Sequence, residues 1–190
     1  MIIIGYQGIG KSTLASNNTS YIDLESGCFW YEDPITGLRS RDGHWYILYC
    51  NVAQHLSEQG YDVFVSSHEE VRHELRDRGC DICAIVPSVE LKGEWIEKLH
   101  QRYQKTGLSK DFVAWKNAED RYEANIREII YDIPNTIQLK SMNYDLLFAI
   151  VQARPNSVVL ARKSYISEIS DENVSITGLD PTTGEWGHNA

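Results

Sequence analysis

The sequence predicts an α/β protein whose sheet is parallel and covered by helices on both faces. Short hydrophobic runs alternate along the chain with longer segments of helical periodicity. Parallel strands need helical crossovers, which this alternation supplies. With 190 residues, the chain has the usual length of one such domain and can bury a core without disulfides.

The elements of the first part of the chain are predicted from apolar periodicity and from the residues that end them. Three isoleucines before Gly5 form the first strand, and a short helix and a turn lead to a brief second strand at 21–22. The segment 27–43 contains proline, glycines and aspartates and is predicted to be a loop. The segment 44–59 has apolar side chains at three- and four-residue steps, and Gly60 follows it as a C-terminal cap.

The second part continues the same alternation. The hydrophobic run 62–66 is predicted to be a third strand, and a helix at 69–78 ends at Gly79. A fourth strand at 82–86 stops at Pro87. The remaining predicted elements are a short helix 10–15 near the N-terminus, helix 88–105, helix 110–131, strand 136–139 and helix 143–152.

The chain divides into a main domain, 1–152, and an irregular C-terminal extension, 153–190, which is rich in glycine and proline. The formal net charge of −9 argues against a long nucleic acid as partner. No stretch approaches the ~20 apolar residues of a membrane span, so no membrane partner is expected. The N-terminus lacks the basic flank of a secretory signal.

Cysteine usage points to a reducing compartment. Four cysteines without a secretory signal indicate free thiols and a cytoplasmic protein. Cys80 and Cys83 have the spacing of a redox or zinc pair, but no second pair completes a metal site. Cys83 is therefore expected to pack as a small hydrophobic residue.

The most specific motif is the glycine loop (residues 5–13), which follows the first strand and matches G-x-x-x-x-G-K-[ST]. Its glycines let several backbone N–H groups converge on phosphate oxygens. Lys11 brings a mobile positive charge to the β- and γ-phosphates, and Ser12 offers a hydroxyl to Mg²⁺. The loop predicts binding of ATP or GTP, with the nucleotide-binding residues Gly8, Ile9, Gly10, Lys11, Ser12 and Thr13.

The carboxyl ends of the second and third strands distinguish between the reactions that such a loop supports. The third strand ends in Ser66-Ser67-His68 and lacks the Asp of hydrolytic ATPases, and no Asn-Lys-x-Asp guanine motif occurs. Asp23 follows the second strand, where it could accept a proton from a hydroxyl or hold Mg²⁺ through water. Both roles stay open. Glu25 is a second candidate acid, and His68 is expected to serve as a cap or packing residue.

Cations are concentrated in one part of this acidic chain. Between Leu91 and Lys110 there are five Lys or Arg against two Glu, and Lys98 and Arg102 lie one helical turn apart. These residues form either a solvated face with a Glu94–Lys98 pair or a set of phosphate contacts.

The motif at 5–13, with Asp23 beyond the second strand, resembles the P-loop kinases of the adenylate-kinase-like group. That group includes nucleoside monophosphate kinases, the 5′-kinase of polynucleotide kinases, and shikimate or gluconate kinases. The residues Val63–His68, Pro87 and 94–103 look similar to phage-type P-loop proteins described as nucleotide or nucleoside kinases. The resemblance covers about residues 1–152 and implies a three-layer P-loop NTPase fold, with a five-stranded parallel sheet in the order 2-3-1-4-5.

The resemblance also implies roles for individual residues. Asp23 becomes the general base for a hydroxyl acceptor, and the helix after the fourth strand becomes a lid at about 88–110. The chain departs from the family at Ser66-Ser67, where many relatives carry Asp. The implied catalytic residues are Lys11, Asp23 and Arg102, the lid cations Lys98 and Arg102, the acceptor-binding residues Trp30, Arg39 and Arg41, and the metal ligands Ser12 and Asp23.

These observations lead to the prediction of an ATP- and Mg²⁺-dependent phosphotransferase of nucleotide metabolism. Its acceptor is expected to be a small nucleotide or nucleoside. The alternatives are a non-catalytic ATP-binding regulatory or assembly module, a kinase of a 5′-hydroxyl or another small-molecule hydroxyl, and a slow ATPase. The oligomeric state, including a homo-oligomer, stays open.

Overall fold

The computed structural model describes residues 1–29, 31–32, 35–36, 39–40 and 43–154, without the side chains of 31–32 and 39–40. Residues Met1–Arg154 form one compact unit. Apart from Ala153 and Arg154, the predicted C-terminal extension lies outside the described residues.

Strands and helices alternate along this unit as predicted. The described strands are β1 (Ile2–Gly5), β2 (Tyr21–Asp23), β3 (Tyr31–Glu32), β4 (Arg39–Ser40), β5 (Asp62–Val65), β6 (Ile82–Pro87) and β7 (Thr136–Leu139). The described α-helices are α1 (Lys11–Asn17), α2 (Trp45–Glu58), α3 (Glu69–Asp77), α4 (Lys92–Thr106), α5 (Ser109–Asp132) and α6 (Leu146–Ala153).

The central sheet has five parallel strands in the order β2-β5-β1-β6-β7. Counted within this sheet, the order is 2-3-1-4-5, and the prediction is confirmed. In the middle of the sheet Ile3 pairs with Phe64 on one side and with Cys83 on the other. All residues of β1 and β5 are buried, and since successive side chains point to opposite faces, both faces of the sheet are covered.

The segment 27–43, predicted to be a loop, contains short regular elements. A 3₁₀ turn spans Ser26–Phe29, and β3 pairs with β4 as an antiparallel ladder separate from the central sheet. The ladder joins backbone N–H and C=O groups that a loop would leave to water.

Helix ends also differ from the prediction at two places. The chain after Ser88 first makes a 3₁₀ turn, Val89–Leu91, so α4 begins four residues later than expected. The last helix begins after Asp145, whose carboxylate accepts hydrogen bonds from the N–H groups of Leu147 and Phe148. A short acidic side chain of this kind satisfies N–H groups that the first turn leaves unpaired, which places the cap at 145.

Helices α4 and α5 form an antiparallel pair joined by a tight turn. Gly107 ends α4 in the left-handed conformation, with φ of 64°, and its N–H bonds to the carbonyl of Tyr103. The following helix leaves helical geometry at Arg121, where φ is −135°. Next to this kink, the buried hydroxyl of Tyr122 donates to the carbonyl of Ser88 at 3.0 Å. Through these contacts α4 and α5 pack beside the carboxyl end of β6.

Candidate functional site

The glycine loop turns sharply between β1 and α1, and two of its glycines have backbone angles that other residues rarely adopt. Gly8 has φ of 85° and Gly10 has φ of 98°. Gly5 has ordinary angles, but a Cβ atom there would lie 2.5 Å from Cδ of Lys11. A Cβ atom at Gly8 would lie 2.9 Å from the side chain of Leu99 on α4. Backbone conformation thus requires glycine at Gly8 and Gly10, and the lack of space for a side chain requires it at Gly5 and Gly8.

The side chain of Lys11 folds back over the loop. Its ammonium donates to the carbonyls of Gly5 at 3.0 Å and Tyr6 at 3.4 Å. Desolvation lowers the pKa of this lysine, the carboxylates of Asp23 and Glu25 oppose that shift, and the positive charge of Arg102 adds to it. An anion placed here would favour the charged ammonium.

The structure brings Ser12 and Asp23 together. The hydroxyl of Ser12 donates to a carboxylate oxygen of Asp23 at 2.5 Å. Asp23 is the last residue of β2, and its neighbour Leu24 bonds through its N–H to the carbonyl of Phe64 in β5. The carboxyl end of an edge strand therefore presents an acid directly to the glycine loop.

Helix α4 packs on the glycine loop through Trp95, and Tyr144, just before α6, makes a second contact with the loop. The indole N–H of Trp95 donates to the carbonyl of Gln7 at 2.9 Å, and Trp95 is fully buried. The hydroxyl of Tyr144 donates to the carbonyl of Gly8 at 3.4 Å. Carbonyls of two consecutive loop residues are thus bound from outside the loop. No spacing rule in the sequence indicates such pairs, because the partners lie 88 and 136 positions apart.

Lys98 lies among aromatic rings beside the loop. Its ammonium donates to the hydroxyl of Tyr144 at 3.0 Å and lies 4.4 Å from the ring centre of Trp95. Desolvation, followed by the charge of Arg102, lowers the pKa of Lys98. The predicted lid cation is thus held by side chains that also bind the loop.

Arg102 completes a group of three cations with Lys11 and Lys98. It pairs with Asp111 at the start of α5, with 2.9 Å between guanidinium and carboxylate. Its charge lowers the pKa of both lysines, so Arg102 is electrostatically coupled to each of them. Like charges are brought together at a cost, which a bound anion would offset.

Tyr49 on α2 connects the ends of two strands beside Asp23, and sequence reasoning assigned it only to an apolar helix face. Its hydroxyl donates to the carbonyl of Leu24 at 2.7 Å and accepts the N–H of Ser66 at 2.9 Å. Tyr49 is fully buried, and burial raises the pKa of its hydroxyl. The hydroxyl of Ser66 lies 2.9 Å from Nδ1 of His68, so the two polar residues after β5 contact each other.

The predicted acceptor-binding residues lie wholly or in part outside the described residues. Trp30 and Arg41 lie outside the described residues, and Arg39 belongs to β4, with its side chain outside them. Glu25 is exposed and lies 3.4 Å from the ammonium of Lys110. These roles stay predictions.

Within 1–29, 31–32, 35–36, 39–40 and 43–154, no group of three or more His, Cys, Asp or Glu is placed to hold a metal ion. Ser12 and Asp23 offer two adjacent oxygens, the donor type that Mg²⁺ takes alongside water and phosphate. All four cysteines are free, and Cys83 is packed in the core as predicted.

Comparison of the chain with protein-family models, curated proteins and solved structures gave no match. Within the part of the chain that the structure describes, no helix combines the length and apolar character needed to cross a membrane.

Proposed function

We propose that the protein is an ATP-dependent phosphotransferase with a P-loop NTPase fold, acting on a small nucleotide or nucleoside. The observation that carries this proposal is the hydrogen bond between Ser12 of the glycine loop and Asp23 at the end of β2. This bond supports the proposal because the γ-phosphate of a nucleotide bound by such a glycine loop would lie beside that acid.

The part of the site that would bind ATP, the phosphate donor, has more support than the part that would bind the acceptor. The carbonyls of Gln7 and Gly8 are bound by Trp95 and Tyr144, which would hold the loop in shape around phosphate oxygens. Lys11 supplies the positive charge. Ser12 would hold Mg²⁺ through its hydroxyl, with Asp23 linked to the ion through water, and bound Mg²⁺ neutralises charge on the phosphates.

In the proposed reaction, an acceptor oxygen forms a bond to the γ-phosphorus while the bond from that phosphorus to the β,γ-bridging oxygen breaks and ADP leaves. A hydroxyl acceptor passes its proton to Asp23, whereas an ionised monophosphate needs no base. Arg102 and Lys98 stabilise the negative charge spread over the transferring group. The free cysteines fit the reducing cytoplasm in which such an enzyme would act.

The test is transfer of label from γ-labelled Mg-ATP to a panel of nucleosides, nucleoside monophosphates, sugars and 5′-hydroxyl oligonucleotides. We expect labelling of a nucleoside or nucleoside monophosphate, abolished by Lys11→Met. If the acceptor is a hydroxyl, Asp23→Asn should lower kcat by about a hundredfold or more. A loss of only a few-fold would exclude Asp23 as general base, and labelling of none of the panel would exclude the transferase.

The residues after β5 favour one alternative, a non-catalytic ATP-binding module. Ser66 and His68 contact each other where hydrolytic relatives would be expected to carry a second acid. The module predicts ATP binding without transfer to any acceptor. A slow ATPase, in contrast, predicts phosphate release that no acceptor accelerates.

A further inference from the structure

Asp111 is a buried acid in the first turn of α5, and no sequence motif marks it. Its side chain is 5% exposed. One carboxylate oxygen lies 2.9 Å from a terminal nitrogen of the Arg102 guanidinium in an ion pair, and the other accepts a hydrogen bond from the hydroxyl of Thr106 at 2.5 Å. The charge is therefore fully engaged by residues at the end of α4.

Arg102 and Thr106 each contact a different carboxylate oxygen of Asp111, and this affects how Arg102 is held. An arginine facing a free carboxylate usually binds both oxygens with two N–H groups. Here Thr106 occupies the second oxygen, and Arg102 reaches Asp111 through one terminal nitrogen. The buried Nε of Arg102 has no hydrogen-bond partner among the residues that the structure describes.

A buried N–H without a partner is costly, and native structures keep few of them. This one belongs to a cation one turn of α4 beyond Lys98, whose ammonium is joined through the hydroxyl of Tyr144 to the carbonyl of Gly8 in the glycine loop. A pair that served only to join α4 and α5 would gain by using both edges of the guanidinium. The arrangement leaves the Nε–H of Arg102 without a partner among the described residues.

We propose that Asp111, held by Thr106, is a positioning residue that fixes Arg102 with its Nε–H directed at an oxygen of the γ-phosphate. The proposal deepens the proposed function and rests on it. Arg102 contacts the nucleotide, and Asp111 acts only through Arg102.

The test compares equilibrium binding of ADP and of AMP-PNP, a non-hydrolysable analogue that keeps the third phosphate, to the full chain by calorimetry. Asp111→Asn should lower the affinity for AMP-PNP about tenfold or more, because the charge-assisted hydrogen bond from Arg102 to the third phosphate is lost. The affinity for ADP, which lacks that phosphate, should stay within about twofold. The matched control is Asp120→Asn, which removes the same charge from an exposed position of α5 and should leave both affinities unchanged.

Two further variants separate positioning from structural support. Thr106→Val frees the second oxygen of Asp111 to take Nε of Arg102, and it should reduce AMP-PNP binding while the ion pair stays intact. In an Arg102→Ala background, Asp111→Asn should have no additional effect on AMP-PNP. If Asp111→Asn does not fold, the result for Thr106→Val decides.

Three outcomes would overturn the proposal. Tighter binding of both nucleotides by Asp111→Asn would mean that Asp111 only neutralises charge. An equal loss for both nucleotides, or an unchanged preference in Thr106→Val, would mean that it only supports the fold. If the wild-type chain binds neither nucleotide, the proposed function itself fails, and this inference fails with it.

Discussion

Gly8 is required both by the backbone of the glycine loop and by the packing of α4 against it. Its backbone conformation forms the glycine loop, and its missing side chain leaves room for Leu99 and Trp95 of α4. Gly60 has a similar φ of 93°, but nothing lies within 4 Å of a Cβ atom there. Comparing alanine variants at the two positions therefore separates the free-energy cost of a left-handed backbone from the cost of a steric clash.

We predict that Gly60→Ala costs about 1 kcal/mol of unfolding free energy, the price of a left-handed non-glycine residue. Gly8→Ala should cost about 1–3 kcal/mol more, because Leu99 and Trp95 must also shift. Urea denaturation of both variants measures the difference. Equal losses would show that the loop can move away from α4 without cost.

Sequence reasoning found the residues whose role follows from a local motif. Lys11, Ser12 and the glycines follow from spacing, and Asp23 follows from its place after a strand. It did not find Trp95 or Tyr49, whose polar atoms contact distant backbone groups. Periodicity describes such residues only as apolar, because it reports which side of a helix is buried and not what the side chain bonds to.

At the scale of elements, α2 fixes the edge strand that carries Asp23. The hydroxyl of Tyr49 bonds to Leu24 after β2 and to Ser66 after β5, so both strand ends share one buried group. The edge strand has only three residues and one neighbour in the sheet, which makes this contact important for its position.

We predict that Tyr49→Phe lowers the unfolding free energy by about 1–3 kcal/mol, because two partly buried backbone groups lose their partner. Amide hydrogen exchange at Ser66 should accelerate as its N–H becomes unpaired. Tyr131→Phe, at a tyrosine that is 86% exposed, is the control and should change neither quantity. Wild-type protection at Ser66 in Tyr49→Phe would contradict the role given to this hydroxyl.

Element types were easier to predict than element ends. Each predicted strand of the central sheet is present, because continuous runs such as Val63–Val65 have few other stable placements. The β3–β4 ladder was missed, since its strands have two residues each and no periodicity. The start of α6 was set by the cap at Asp145, a single local hydrogen-bonding choice that periodicity does not detect.

At the scale of the whole described unit, a buried ion pair holds α3 against the end of α5. Nε of Arg72 donates to Asp132 at 2.8 Å, and Arg72 also bonds to the carbonyl of Ser67 after β5. The side chains of Arg72 and Asp132 are 5% and 8% exposed. Neither residue has a signature in the sequence, since the two positions are 60 residues apart.

We predict that Asp132→Ala lowers the unfolding free energy by about 3–5 kcal/mol, because it leaves the guanidinium of Arg72 buried without its counter-charge. Asp77→Ala, which removes an acid paired with Arg76 at the surface, should cost less than about 1 kcal/mol. Thermal or urea unfolding of both variants measures the difference. Similar losses in the two variants would contradict the importance of the buried pair.

The indole of Trp95 has a consequence for regulation. Because its N–H holds Gln7 and its ring is buried, α4 cannot move away from the glycine loop without breaking that bond and exposing the ring. Binding at the loop and displacement of α4 are then thermodynamically linked, and the coupling is reciprocal. A ligand that stabilises the loop would hold α4 in place. A partner that displaced α4 by binding its exposed face would weaken the binding of that ligand by the same free energy.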